Sequence, residues 1–162
     1  MSLGYNLAQV NIGRLKGQQA APEMRDFVDN LDRINALAED QPGFIWRLVG
    51  EGANAMDVKA FDDPNMIINM SVWDGLDNLA AFVYRTTHRD IMRRRREWFH
   101  EMAIYQALWW VPTGQRPTVA EAQSRLALLE REGPTTAAFT FQAPFAAPDA
   151  ARSPTPILER CA

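Results

Sequence analysis

The chain has 162 residues, 47% of them hydrophobic and 23% charged, with a formal net charge of −3 at pH 7. That length holds one soluble domain with a real core, and the acidic balance excludes a dedicated nucleic-acid binder, which is basic overall or across a whole face. The lone cysteine, Cys161, cannot close an internal disulfide, and no apolar run approaches the roughly 20 residues of a membrane span. MSLGYNLAQV lacks the basic-then-apolar order of a secretory leader. The expectation is a cytoplasmic protein with no membrane and no nucleic-acid partner.

Leu3 to Leu15 alternates: Ala8, Val10 and Ile12 point one way, and Leu7, Gln9, Asn11 and Gly13 the other. This is the pattern of a strand with a partly polar second face. Pro22 and Glu23 open a helix whose apolar residues Phe27, Leu31, Ile34, Leu37 and Ala38 recur at helical spacing, and Pro42-Gly43 stops it. FIWRLVG (44–50) reads as a second strand with Phe44, Trp46 and Leu48 on one face. Residues 51–65 read as a long loop, with at most a short strand near 57–61. MIINMSVW (66–73) is a third strand that places Asn69 and Ser71 between Ile67 and Trp73 on one face.

Residues 73–99 organise the rest of the chain. They leave a strand, form a helix with Leu76, Leu79, Ala80 and Val83 on one apolar face, break once, and restart. Thr87 and Asp90 have capping-box spacing for the restart. After it His88, Ile91, Met92, Arg95, Trp98, Phe99 and Met102 share one arc of an ideal helix. The wheel therefore turns Arg93, Arg94 and Arg96 to solvent, where Arg93 can pair with Glu97, and turns Arg95 inward beside His88. IYQALWWVP (104–112) is a fourth strand, and Trp109 and Trp110 point to opposite faces of it. A further helix starts at Pro117-Thr118, with Thr118 and Glu121 as a capping box, and ends before Gly133. The last 29 residues hold five of the ten prolines. FTFQAPF (139–145) reads as one extended segment and 146–162 as a Pro/Ala-rich mobile tail. The order is β-α-β-β-α-β, an α+β, ferredoxin-like antiparallel sheet with helices on one face plus an extra C-terminal helix. The domain boundaries are 1–145 for this unit and 146–162 for the tail.

AFVYRTTHRDIMRRRREWF, NMSVWDGLDNL and ALWWVPTGQRPTVAEA carry a resemblance to an uncharacterised, mostly bacterial family. That family lies within the dimeric α/β-barrel superfamily, which includes the antibiotic-biosynthesis monooxygenase-like proteins. The resemblance covers roughly residues 5–145. It implies a dimeric α/β barrel and a homodimer, on a scaffold that hosts monooxygenases, isomerases, dehydratases and haem enzymes, so it implies no single reaction.

The residues themselves nominate a site. His88, first in its helix, feels the positive end of the dipole, which disfavours protonation, and a neutral imidazole suits a general base or a haem ligand. Arg95 on an apolar arc needs a partner: Glu23, Asp26, Asp57 or an anionic substrate group. Tyr84 precedes His88 by four residues. Asn11, Asn69 and Ser71 are inward polar groups that either tie strands together or orient a ligand, with Trp46, Trp73 and Trp110 as candidate aromatic walls. His100 reads as surface. No dinucleotide fingerprint, Walker loop, nucleophile elbow, structural zinc site or close carboxylate pair is present. The expected function is an enzyme acting on a small hydrophobic or aromatic molecule between sheet and helices, monooxygenase-, isomerase- or dehydratase-like, with no cofactor and no metal. The alternatives are a haem protein with His88 as axial ligand and a non-catalytic ligand-binding or dimeric partner protein.

Overall fold

The computed structural model describes residues 4–17, 22–50, 61–63, 65–85, 89 and 93–148. His88, the Thr87–Asp90 cap, the 51–60 loop and the tail beyond Pro148 lie outside them. Four strands form one antiparallel sheet: β1 (Tyr5–Arg14), β2 (Phe44–Arg47), β3 (Met66–Trp73) and β4 (Gln106–Pro112), in the order β2-β3-β1-β4. Helix α1 (Arg25–Glu39) joins β1 to β2, and α2 (Leu76–Arg85) follows β3. This is the expected ferredoxin-like plan.

Register sorts the side chains into two faces. Leu7 pairs with Trp73 and Trp110, Gln9 with Ser71 and Leu108, and Asn11 with Asn69 and Gln106, so these residues share the front face. There α1 contributes Ile34 and Ala38, and α2 contributes Leu79, Phe82 and Val83, to a cluster around Trp73 and Leu108. On the back, Ala8, Val10, Met70, Val72, Ala107 and Trp109 are 0–1% exposed. They pack under the extra helix, α4 (Val119–Glu132). The Thr118 hydroxyl caps it by accepting from Glu121 N–H at 3.0 Å, as its spacing predicts. Trp109 Nε1 donates to Glu121 Oε2 at 2.9 Å, and Arg125 donates to Ala137 O at 2.9 Å, fastening α4 to β4 and to the chain that follows. Leu48, Phe61, Met102 and Ile104 cover the rest of that face. The two expected helices thus lie on one face, and the third covers the other. A barrel built by stacking two sheets back to back would have to displace this cover.

Four expectations are corrected. A bulge between Phe44 and Trp46 moves Trp46 to the back face opposite Val72 and brings Arg47 to the front opposite Ser71. The restarted helix is short, α3 (Arg95–Trp98), and Phe99 is already extended and bridged to Leu15. Met102 therefore leaves the arc and joins the back cluster. Glu97 is bound by Arg94, through two hydrogen bonds of 2.8 and 3.0 Å at i,i+3. Finally, 139–145 is not one extended segment. Phe139 pairs with Leu108 on the outer edge of β4, and the chain then turns between Thr140 and Ala143.

Candidate functional site

The front face is not solid. Between the sheet and the two helices lies a cavity of about 160 Å3. It arises because the centre of the front face carries amides where Leu7 and Trp73 stand at one end. Gln9 is the hub and is 4% exposed. Its Nε2 donates to Asn69 Oδ1 at 2.9 Å and to Ser71 Oγ at 2.8 Å, while its Oε1 accepts from Asn11 Nδ2 at 3.3 Å. Trp73 Nε1 also donates to Ser71 Oγ, at 2.9 Å. This network locks the floor across β1 and β3, because Gln9 binds Asn69 and Ser71 on the neighbouring strand while holding Asn11 on its own. One atom is left over: Asn11 Oδ1 is buried and accepts nothing among the described residues. Gln106 from β4 and Asn35 from α1, itself 7% exposed, add polar groups at the floor and roof.

The walls are aromatic. Phe44 meets Trp73 edge-on at 5.4 Å, and Phe82 stacks on the same indole at 5.4 Å. At the other end Phe27 packs against Trp98 and Phe99, at 5.5 and 5.1 Å. Phe99 lies directly over Gly13, where a Cβ would enter its ring, so a glycine is required there for closeness rather than for conformation. Helix α3 carries Trp98 and leads directly into Phe99. It is clasped to the sheet by Lys16 N–H donating to Trp98 O at 2.8 Å and His100 N–H to Arg14 O at 2.9 Å, and to α1 by Arg94 donating to Asp26 at 3.0 Å.

Arg95 lines this end. Its Nη2 donates to Ile12 O at 3.1 Å, and its guanidinium lies over Phe99 and Tyr105, 4.8 and 4.4 Å from the ring centroids. Burial pushes its pKa down from the ordinary arginine value, yet arginine stays protonated at neutral pH. Among the described residues no carboxylate reaches it. Asp26, one partner the sequence allowed, is taken by Arg94, and Glu23 and Asp57 have no described side chain. At the β2 side Arg47 lines the cavity and pairs with Glu39 at 3.1 Å. These two guanidiniums are the charged groups among the described lining residues, and none of those residues titrates near neutral pH. The described residues also hold no cluster of metal-ligating side chains.

Of the nominated residues, the fold brings together Asn11, Asn69, Ser71, Trp73 and Arg95. Trp46 is behind the sheet. Trp110 is on the front but beyond the cavity, its indole N–H donating to Phe145 O at 2.8 Å. Tyr84 is 53% exposed with its ring edge on Phe141, since the buried phase of α2 runs through Leu79, Phe82 and Val83. His100 is at the surface as expected. Sequence reasoning left out Gln9, Asn35, Arg47 and Gln106. Gln9 had a visible signal, since it alternates with Asn11 on one strand, whereas Arg47 reaches the site only through the bulge.

Residues 6–155 match the family described as Domain of unknown function (DUF3291). No curated protein matches the chain. Among solved structures, a protein of unknown function from Nitrosomonas europaea, NE2512, is 13% identical, with 72% of this chain and 97% of that one aligned at a TM-score of 0.46. PA3566 from Pseudomonas aeruginosa is 10% identical over 73% and 100% of the two chains, at 0.45. A Nitrosomonas europaea protein provisionally named an antibiotic biosynthesis monooxygenase is 16% identical over 73% and 98%, at 0.47.

Proposed function

The chain belongs to the DUF3291 family, and we propose that its front-face cavity binds a small, largely apolar ring compound and acts on it as an enzyme. The observation that carries this reading is the cavity itself. A well-packed core leaves few voids larger than a water, and this one is both roomy and floored by a hydrogen-bonded amide network. An aromatic-walled space with a few fixed polar groups is what a small-molecule site looks like.

The reaction follows from which groups are present. The described lining residues include no histidine, cysteine or carboxylate, so we assign proton abstraction to His88, which the sequence nominates as a base and which lies outside the described residues. The anion so formed develops beside Arg95, and Asn11 and Asn69 orient the ring. Isomerisation, dehydration and cofactor-independent oxygenation by dioxygen share this first step. The cavity among the described residues is close in size to one that takes benzene (~150 Å3), so a porphyrin on His88 would need room outside those residues. The homodimer is part of this proposal, and one built by stacking the backs of two sheets requires α4 to move aside.

The test is a titration with nitrobenzene, a small non-fluorescent quencher, and with a fused polycyclic such as anthrone, followed by tryptophan fluorescence, since Trp73 and Trp98 line the space. Saturable quenching by the small ring, lost in a cavity-filling Asn69→Phe variant that still unfolds cooperatively, is expected. Equal quenching in the filled variant would sink the site. If His88→Ala leaves turnover of a bound substrate intact, the base assignment fails while the binding site stands.

A further inference from the structure

Asn11 Oδ1, an acceptor with no donor, and the Arg95 guanidinium, a cation that no carboxylate reaches among the described residues, both line the cavity. Arg95 is held by the carbonyl of Ile12, the residue that follows Asn11 in β1. Asn11 is fixed by its bond to Gln9, and its oxygen is buried with nothing to accept. A buried acceptor without a donor costs stability, as does a guanidinium without an anion, and both costs are recovered when a ligand supplies what is missing. The volume sets the third condition, about one aromatic ring.

Resting on the binding site proposed above, we infer that the ligand is a single-ring aromatic carrying an oxyanion for Arg95 and, on the adjacent ring position, a hydroxyl or N–H donor for Asn11 Oδ1. Catecholates and ortho-hydroxy aromatic acids have this chemistry. The oxyanion accepts a charge-assisted hydrogen bond from Arg95, whose rings Phe99 and Tyr105 keep water from competing. The adjacent O–H donates to Asn11. The remaining ring edge lies among Phe27, Phe82 and Trp98. The cavity holds no described carboxylate, so a cationic ring such as a protonated amine has no counter-charge there.

Three chromophoric probes separate these claims: nitrocatechol, para-nitrophenol and para-nitroanisole. Each is titrated into the full chain near pH 7, with binding read by tryptophan quenching and ionisation by visible absorbance. The nitrophenolate is expected to bind about tenfold or more tighter than the uncharged anisole, with the bound phenol's apparent pKa lowered correspondingly. Nitrocatechol is expected to bind about fivefold tighter again. Arg95→Gln should erase the anion preference, so that nitrophenolate and anisole bind that variant equally. Asn11→Leu should erase only the nitrocatechol advantage. If Arg95→Gln does not fold, the wild-type ratio of phenolate to anisole still decides, since the two differ by one methyl in place of a charge. Three equal affinities in the wild type overturn the inference and leave the binding site intact; no binding of any probe overturns both.

Discussion

The two faces of the sheet use the same strands and differ in every alternate residue. Behind it, Ala8, Val10, Met70, Val72, Ala107 and Trp109 meet α4 with almost no accessible surface. In front, Gln9, Asn11, Asn69, Ser71 and Gln106 leave a cavity that α1 and α2 roof but do not fill. The back face is packed as a core should be, and the front gives up packing for a fixed polar floor. Because side chains alternate strictly along a strand, one set of backbone hydrogen bonds supports both, and residues one position apart belong to different tasks. Tight packing is concentrated on one side and the polar-floored cavity on the other.

The sharpest way to break this division is a pair of adjacent substitutions on β3. Met70, fully buried behind the sheet, should cost about 2–5 kcal/mol when replaced by alanine, from lost burial plus the void it leaves. Asn69→Ala, one residue earlier and facing the cavity, should cost no more than about 1 kcal/mol, because Gln9 Nε2 keeps its bond to Ser71. Urea denaturation of both variants reads the difference; equal costs would mean the front face is as much a core as the back. A second test sharpens the front face's boundary at Gly13. Gly13→Ala drives a methyl into the Phe99 ring and should cost about 1–3 kcal/mol. Combining it with Phe99→Leu should cost less than the sum of the two single changes, since the second substitution removes what the first collides with. Additivity would show that Phe99 has another place to go.

The same alternation explains how much of this was legible in the sequence. Period-two patterning separated Ala8, Val10 and Ile12 from Gln9 and Asn11 before any coordinates, and it placed Asn69 and Ser71 with Trp73. The Thr118 cap was legible for the same reason: its partner is three residues away. What failed was whatever depended on a break in periodicity. A bulge is one extra residue with no side-chain signature of its own, so Trp46 and Arg47 were assigned to each other's faces. Helix α3 ends at Trp98 because Phe99 pairs with Leu15, a contact 84 positions distant that no helical wheel contains. Tyr84 was drawn toward the site by a spacing that presumes an unbroken helix. Arg95 was placed inward correctly; its partners among the described residues are a backbone carbonyl and two rings, and a carbonyl acceptor leaves no mark in sequence.

The smallest effect concerns the clasp that holds the aromatic end of the cavity in place. Arg94 donates to Glu97 and to Asp26 and lies over Trp98 with its charge 4.6 Å from the ring centroid, so it links α3 to α1 at the end of the cavity where Arg95 sits. The hydrogen bonds from Arg94, and after them its charge, hold the Glu97 carboxyl below the ordinary glutamate range, although desolvation and the Asp26 charge oppose them. A carboxylate whose folded pKa is depressed stabilises the fold above its unfolded value, about 4.3, and loses that contribution as pH falls through the unfolded value toward the folded one. Both partners are open to solvent, with side chains 37% and 54% exposed, so water and salt weaken the pair and the effect on global stability is slight. The difference in melting temperature between wild type and Glu97→Gln should therefore be small and positive at neutral pH, shrink with added salt, begin to fall as pH drops below about 4.3, and vanish only below the depressed folded value. Ring binding should follow the same course, because α3 carries Trp98 and leads directly into Phe99 at the cavity's end. If Glu97→Gln weakens probe binding at neutral pH without lowering the melting temperature at all, the clasp serves the cavity alone, and the division between the two faces is sharper than the packing by itself implies.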